Sequence, residues 1–217
     1  MPRSGLTTEA VVDAAVHLAD AAGLEQVTLV RLAAELHIRP PSLFNHIAGL
    51  AELRRQLQLR GLREMAARAA RAAVGRAGRD AVLATALAVR QFAHEHPGLY
   101  AASLPATNAA DPELTAAAEQ FVGIFFDTVR QYGFEGTEAV HAVRGLFSTV
   151  HGFIMLERAG NFGLPIDTDE SFRWLVQHYS ASLDGRRRTR RADRQPPNRS
   201  PVTHAARAAG PAVEEQT

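Results

Sequence analysis

Apolar residues recur three and four positions apart along most of this chain, broken by short runs of Gly, Pro, Asp and Asn. That spacing lines apolar side chains along one face of a helix. No segment alternates apolar and polar residues with period two, so no sheet is expected and the fold class is all-α, with about nine helices. The first helix begins at Thr7 or Thr8, whose hydroxyl can accept from a free N–H of the first turn. It carries Val11, Val12, Ala15, Leu18, Ala19 and Ala22 on one stripe and stops at Gly23, which suits a left-handed cap. Leu24 to Val27 lead to Thr28, a second cap, and a two-turn helix with Leu29, Leu32, Ala33 and Leu36 facing inward. His37-Ile38-Arg39 form a turn. Pro40-Pro41 open a third helix near Pro41 that runs to about Ile47, because proline suits the first helical turn and displaces the residue before it.

Further helices are expected over 50–74, 80–95, 112–132, 137–158 and 168–184, with a short turn near 97–104. The breakers are Gly75 and Gly78, Pro97-Gly98, Pro105 to Pro112, Gly133 to Gly136, and Gly160 to Pro165. From Gly185 onward Arg and Pro replace large apolar residues, too few of which remain to offset the entropy of ordering. The expected organisation is a unit of short helices over 1–49, a larger helical unit over 50–184, and a disordered Arg/Pro-rich tail over 185–217.

The pair of short helices over 28–47 has the geometry of a helix-turn-helix, with Leu29, Leu32, Ala33, Ile38, Leu43 and Ile47 spaced to hold it together. Pro41, Ser42, Phe44, Asn45 and His46 fall on the outward side of the second helix. Ser and Asn can hydrogen-bond base edges in a major groove, and apolar groups can touch thymine methyls. Thr28 stands at a helix N-terminus, suited to a phosphate oxygen. A plain helical hairpin inside a core would show the same periodicity, but it gives no reason for Phe44, Asn45 and His46.

Charge sharpens this picture. The net charge of +1 hides a division. Residues 1–79 hold 11 Arg against 7 acids, 80–185 hold 5 Arg against 13, and 186–217 hold 8 Arg against 3. A basic front suits a polyanion. The Arg186 to Arg194 run could add nonspecific affinity for DNA or simply be solvated. The chain has no Cys, which excludes disulfides, thiolate catalysis and Cys-based zinc sites. Hydrophobic residues make up 46%, enough for a sizeable core. No apolar run reaches the roughly 18 residues a membrane span needs and residues 1–20 lack the apolar core of a signal peptide, so a soluble, cytoplasmic protein without membrane contact is expected.

From Leu6 to Leu57 the sequence resembles the DNA-binding domain of the TetR family of bacterial regulators. The family pattern T-x-x-x-[LI]-A-x-x-L, turn, L-[YF]-x-H-[FI] is met by Thr28-Leu29-Val30-Arg31-Leu32-Ala33-Ala34-Glu35-Leu36 and by Leu43-Phe44-Asn45-His46-Ile47. His37 and Arg39 stand where members usually have Gly and Ser, and Phe44 and Leu50 where they have Tyr and Lys. Phosphate contact then leans on Thr28, Arg39, His46 and Arg54 or Arg55. Val150-His151-Gly152-Phe153 and Asn161-Phe162-Gly163-Leu164-Pro165 resemble a branch with a Trp-His-Gly-type C-terminal domain, with Val150 in place of Trp.

The resemblance implies a ligand-responsive regulator: a repressor that leaves a palindromic operator when a small molecule binds. It also implies a homodimer formed through 137–158 and 168–184. The wide apolar band of Val140, Val143, Leu146, Phe147, Val150, Phe153, Ile154 and Met155 fits a helix with a partner, or one central to its own core. Phe92, Tyr100, Phe121, Phe125, Phe126, Phe147, His151 and Met155 are candidates to line an apolar pocket with His151 as its polar group, or are core packing. The other reading of the chain is a dimeric small-molecule-binding protein with no DNA function. No cofactor or metal site is expected: His94-Glu95-His96 does not share a helical face, and His141 and His151 lie nearly three turns apart. No nucleophile–base pair or phosphate loop suggests an enzyme.

Overall fold

A computed structural model describes the backbone of residues 6–194 and the side chains up to Asp184. Among the described residues there are nine α-helices, one 3-10 turn and no strand. Helix α1 is Thr8–Ala22, followed by the 3-10 turn Leu24–Gln26, α2 Leu29–Glu35, α3 Pro40–Leu43 and α4 Leu50–Ala73. Then come α5 Gly78–Glu95, α6 Pro97–Ser103, α7 Pro112–Arg130, α8 Gly136–Arg158 and α9 Thr168–Arg194.

The helix starts have local causes. Thr7, Thr28 and Asp111 each accept a backbone N–H three residues ahead, from Ala10, Arg31 and Leu114. The apolar stripe of α1 buries Val11, Val12, Ala15, Val16 and Ala19. One continuous hydrophobic cluster runs from Val11 to Leu183, so the first three helices share a core with the rest. Each large side chain enclosed there, Leu53, Leu57, Met65 and Phe125 among them, contributes on the order of 1.5–3 kcal/mol.

Three elements differ from the sequence expectation. The third helix is shorter than 41–47. It ends at Leu43, and Phe44, Asn45 and His46 follow in a tight turn bonded to Pro41, Ser42 and Leu43, each three residues back. Pro40 and Pro41 fill the first two helical positions, where an N–H has no intrahelical acceptor, so they open the helix; it ends because the N–H groups of Phe44 to His46 bond carbonyls three residues back instead of four. The turn near 97–104 is the seven-residue helix α6, opened by Pro97. Helix α9 continues ten residues past 184 to Arg194, because Arg is a good helix former and no proline occurs before Pro196. Residues 195–217, the rest of the segment expected to be disordered, lie outside the described residues.

Helix α8 has the length and mean hydropathy, 1.3, of a membrane span. Here it packs on α5, α7 and α9 and buries Val143, Leu146, Val150, Phe153 and Ile154 against them.

Candidate nucleic-acid interface

Helices α2 and α3 meet over Leu32, Ala33, Leu43 and Ile47, all buried, with Leu29, Leu36 and Ile38 packed at the edge. The turn between them closes as a Schellman motif. The Ile38 N–H donates to the Ala33 carbonyl at 2.9 Å and the His37 N–H to the Ala34 carbonyl at 3.1 Å. This motif demands a left-handed residue, and His37 takes that place with φ +54°. Thr8 in α1 donates its hydroxyl to the His46 carbonyl at 3.1 Å, tying the end of the turn after α3 to the start of α1.

What this frame presents is an open surface. Thr28, Arg39, Pro41, Phe44 and Asn45 are exposed, with Phe44 at 59%, while Ser42 and His46 are half-buried. Among the described residues, the side chains of Arg39, Asn45 and His46 make no hydrogen bond or ion pair. Thr28 spends an oxygen lone pair on Arg31 N–H at 3.2 Å and keeps its own proton to donate. Arg54 lies 3.6 Å from Glu25, a loose exposed pair. Arg55 is not available for phosphate contact. Its Nε and second terminal nitrogen hold Asp111 at 2.5 and 3.1 Å, and it also reaches Glu113 at 2.7 Å. The Arg55 guanidinium pulls the Asp111 carboxyl down to about 2.

The candidate ligand residues divide. Phe121, Phe125 and Phe147 form a trio of edge-on rings with centroids 5.3 to 6.0 Å apart. Phe147 stacks on His151, and the Tyr100 hydroxyl lies 2.8 Å from His151 Nδ1. Burial drives the Tyr100 pKa upward and that of His151 downward, so both are neutral at pH 7. Phe126 sits at the edge, half-buried, with the Arg130 cation 5.7 Å from its ring. Phe92 lies elsewhere, under the Arg68 guanidinium and against His96. Met155 is 44% exposed on the outer face of α8.

Sequence reasoning passed over Asp20. Its Oδ1 accepts the Gly98 and Leu99 N–H groups at 2.8 and 3.0 Å, and its Oδ2 meets His96 Nδ1 at 3.0 Å. On the far side of the ring, Arg68 lies 3.0 Å from His96 Nε2. Arginine can only donate, so Nε2 accepts and Nδ1 carries the proton given to Asp20. Helix α6 is thus held against α1, so closely that a Cβ at Gly98 would lie 2.2 Å from the Ala19 carbonyl carbon and oxygen. The only sequence hint was Gly98 itself, following Pro97. His94 also has a structural partner, Glu157 at 2.9 Å. Glu157 in turn makes a bidentate pair with Arg90, inside a cleft of about 590 Å³ between α5, α8 and α9.

Residues 82–179 match the family described as tetracyclin repressor-like, C-terminal domain. An uncharacterized HTH-type transcriptional regulator of Mycobacterium tuberculosis is 36% identical over 183 residues, covering 83% of this chain and 83% of the relative. A TetR variant of Acinetobacter baumannii AYE in complex with minocycline shares the fold with a TM-score of 0.63 at 20% identity, over 84% of this chain and 98% of that one. BioQ with its natural double-stranded DNA operator does so with a TM-score of 0.60 at 24% identity, over 82% of this chain and 98% of that one. The structures establish the common fold, and the sequence relative carries the lineage: this chain belongs to the TetR family of HTH-type transcriptional regulators.

Proposed function

We propose that the protein is a homodimeric repressor that grips a palindromic operator through α2 and α3 and lets go when a small molecule enters its helical core. Residues 1–49 serve as the reader and 50–184 as the sensor and dimerisation unit. Ser42, Asn45 and His46 address base edges, Pro41 and Phe44 make apolar contacts, and Thr28, Arg39 and Arg54 hold phosphates. The observation that carries this reading is the surface around α3. Polar groups stand there without protein partners on a frame fixed by the Schellman turn and the Thr8–His46 bond. In a dimer, two such surfaces about 34–36 Å apart meet successive major grooves.

The aromatic cluster of Tyr100, Phe121, Phe125, Phe147 and His151 is the proposed sensor, suited to an apolar molecule with one hydrogen-bonding group. A ligand that takes over the His151 bond frees Tyr100, and Tyr100 belongs to α6. The N-terminal end of α6 rests on Asp20 of α1, so a shift in α6 reaches the reader. A coupling of about 1–3 kcal/mol suffices for regulation. The dimer is proposed through α8 and α9, where Met155, Leu156 and Trp174 are exposed.

Genomic binding-site selection with the purified protein tests the reading. Enrichment of one palindromic sequence, lost when Asn45→Ala is introduced, is the expected result. Failure to enrich any duplex would leave the dimeric small-molecule-binding protein as the better account.

A further inference from the structure

Helix α9 has a defined direction relative to the reader. Near its start, Asp169 meets Arg90 in the second half of α5 at 2.7 Å, and sixteen residues into the helix Asp184 meets Arg79 at the beginning of α5, also at 2.7 Å. The two helices therefore run antiparallel. The far end of α5 leads into His96, which bonds Asp20 of α1, so that end lies beside the reader. Helix α4 fits the same frame: it leaves the reader at Leu50 and reaches Ala73 after 24 residues, about 36 Å of rise. Helix α9 consequently starts on the reader's side and ends at the opposite pole. From Asp184 it continues to Arg194, about 15 Å further. That last stretch carries Arg186, Arg187, Arg188, Arg190, Arg191 and Arg194 against Asp193 alone.

We propose that this arginine-rich end of α9 is a second, sequence-independent binding element for duplex nucleic acid, at the pole opposite the helix-turn-helix. Screening limits the reach of a charge to about 8 Å at physiological salt, so the run does not act on a duplex held by α3. Its own geometry is costly when empty. Arg186 and Arg190, Arg187 and Arg191, and Arg190 and Arg194 are four apart on the helix, and like charges at that spacing destabilise it. A polyanion relieves this repulsion. Guanidinium groups match phosphate oxygens in bidentate fashion. No large apolar residue occurs between Leu183 and Val202, so the segment lacks the apolar face that an interfacial membrane helix needs. A regulator already resident on DNA meets duplex phosphate at high local concentration. Held at one site by α3, the protein then presents a basic pole to another segment of DNA.

The test uses the full-length chain and a fluorescent random-sequence duplex. In a background that removes reader cations, Arg39→Gln with Arg54→Gln, the protein still binds this duplex. Changing the six α9 arginines to Gln as well, which keeps helix propensity, lowers that affinity by about ten-fold or more at low salt. It also flattens the salt dependence by about 2–3 log units per decade, the release expected from three phosphate contacts. In the otherwise unaltered protein, the six Gln substitutions leave affinity for a selected genomic fragment unchanged, which also shows that the variant folds. Equal binding of random duplex with and without the six arginines overturns the proposal. So does weakened binding of the selected fragment, or capture by phosphatidylglycerol vesicles with no capture by duplex. Failure to select any genomic fragment counts against the proposed repressor function, and the random-duplex comparison still decides this one.

Discussion

At the scale of single residues, position and partner decide what a side chain is free to do. Arg54 and Arg55 are neighbours of the same type, yet Arg55 is consumed by Asp111 and Glu113 while Arg54 is held only loosely by Glu25. No rule of spacing distinguishes them in the sequence; the difference comes from the distant start of α7. Among the reader residues, two substitutions separate phosphate from base contact. Arg39→Ala weakens binding to all duplexes alike and lowers the salt slope by about 1, whereas Asn45→Ala costs about 1–3 kcal/mol on the selected site and relaxes specificity there. Fluorescence anisotropy titrations across salt, on selected and scrambled duplexes, read both. Equal loss on the two duplexes for Asn45→Ala would remove it from base recognition. His37 shows a residue tolerated against its backbone preference, since φ +54° in the Schellman turn suits Gly. His37→Gly relieves about 1–2 kcal/mol of strain and loses part of that to greater freedom of the unfolded chain. The expected outcome is a rise of a few degrees in Tm by calorimetry, and a fall would show that the imidazole is doing something the turn geometry does not reveal.

At the scale of elements, what was legible in the sequence was whatever local chemistry controls. The spacing of Val11, Ala15 and Ala19 marked α1, the hydroxyl of Thr28 marked the start of α2, and Asp111-Pro112 marked α7. The shortness of α3 is not legible there, because Pro40-Pro41 marks where the helix opens while nothing in Phe44-Asn45-His46 marks the switch to bonds three residues back that ends it. Nor was the role of α6 visible, because Asp20 and Gly98 are 78 positions apart and nothing local pairs them. Of the ligand candidates, aromatic type alone could not separate Phe147, inside the cluster, from Phe92, under Arg68. Helix α6 yields its own prediction. Asp20→Ala strips an acceptor from two backbone donors and from His96, which costs about 2–3 kcal/mol and lowers Tm by roughly 4–12 °C. An unchanged Tm would mean that solvent replaces the carboxylate freely. The ion pairs joining α5 to α8 respond to acid. Arg90 holds the Glu157 carboxyl at about 2, below the ordinary 4.5 of the unfolded chain. A depressed carboxylate stabilises the fold above 4.5, and that contribution disappears as pH falls from 4.5 toward 2. Solvent screening limits it to about 1–2 kcal/mol. Glu157→Gln removes this part of the acid sensitivity, measurable as a flatter plot of unfolding free energy against pH below 4.5.

At the scale of the whole molecule, a closed core stands beside one exposed apolar face. Its core closes without interruption from Val11 to Leu183. The outer face of α8 and α9 nevertheless leaves Trp174 60% exposed, stacked only on His178 at 3.8 Å, with Met155 and Leu156 exposed on the neighbouring helix. Large aromatic groups at such a position carry disproportionate weight in protein interfaces. The exposure also makes the test clean, because a side chain that does not support the subunit's own core can be replaced without unfolding it. Trp174→Glu would place an unpaired charge in the proposed interface, weakening the dimer by at least about 100-fold while leaving helix content intact. Sedimentation velocity should show dimers for the unaltered protein and monomers for the variant. Since two half-sites bound by one body are held far more tightly than either alone, the monomeric variant should also lose most of its affinity for a palindrome, yet keep the weak affinity of one reader for a half-site. A variant that stays dimeric moves the interface away from α8 and α9. One that becomes monomeric and still binds the palindrome as tightly as before breaks the link between dimerisation and operator recognition, on which the proposed repressor depends.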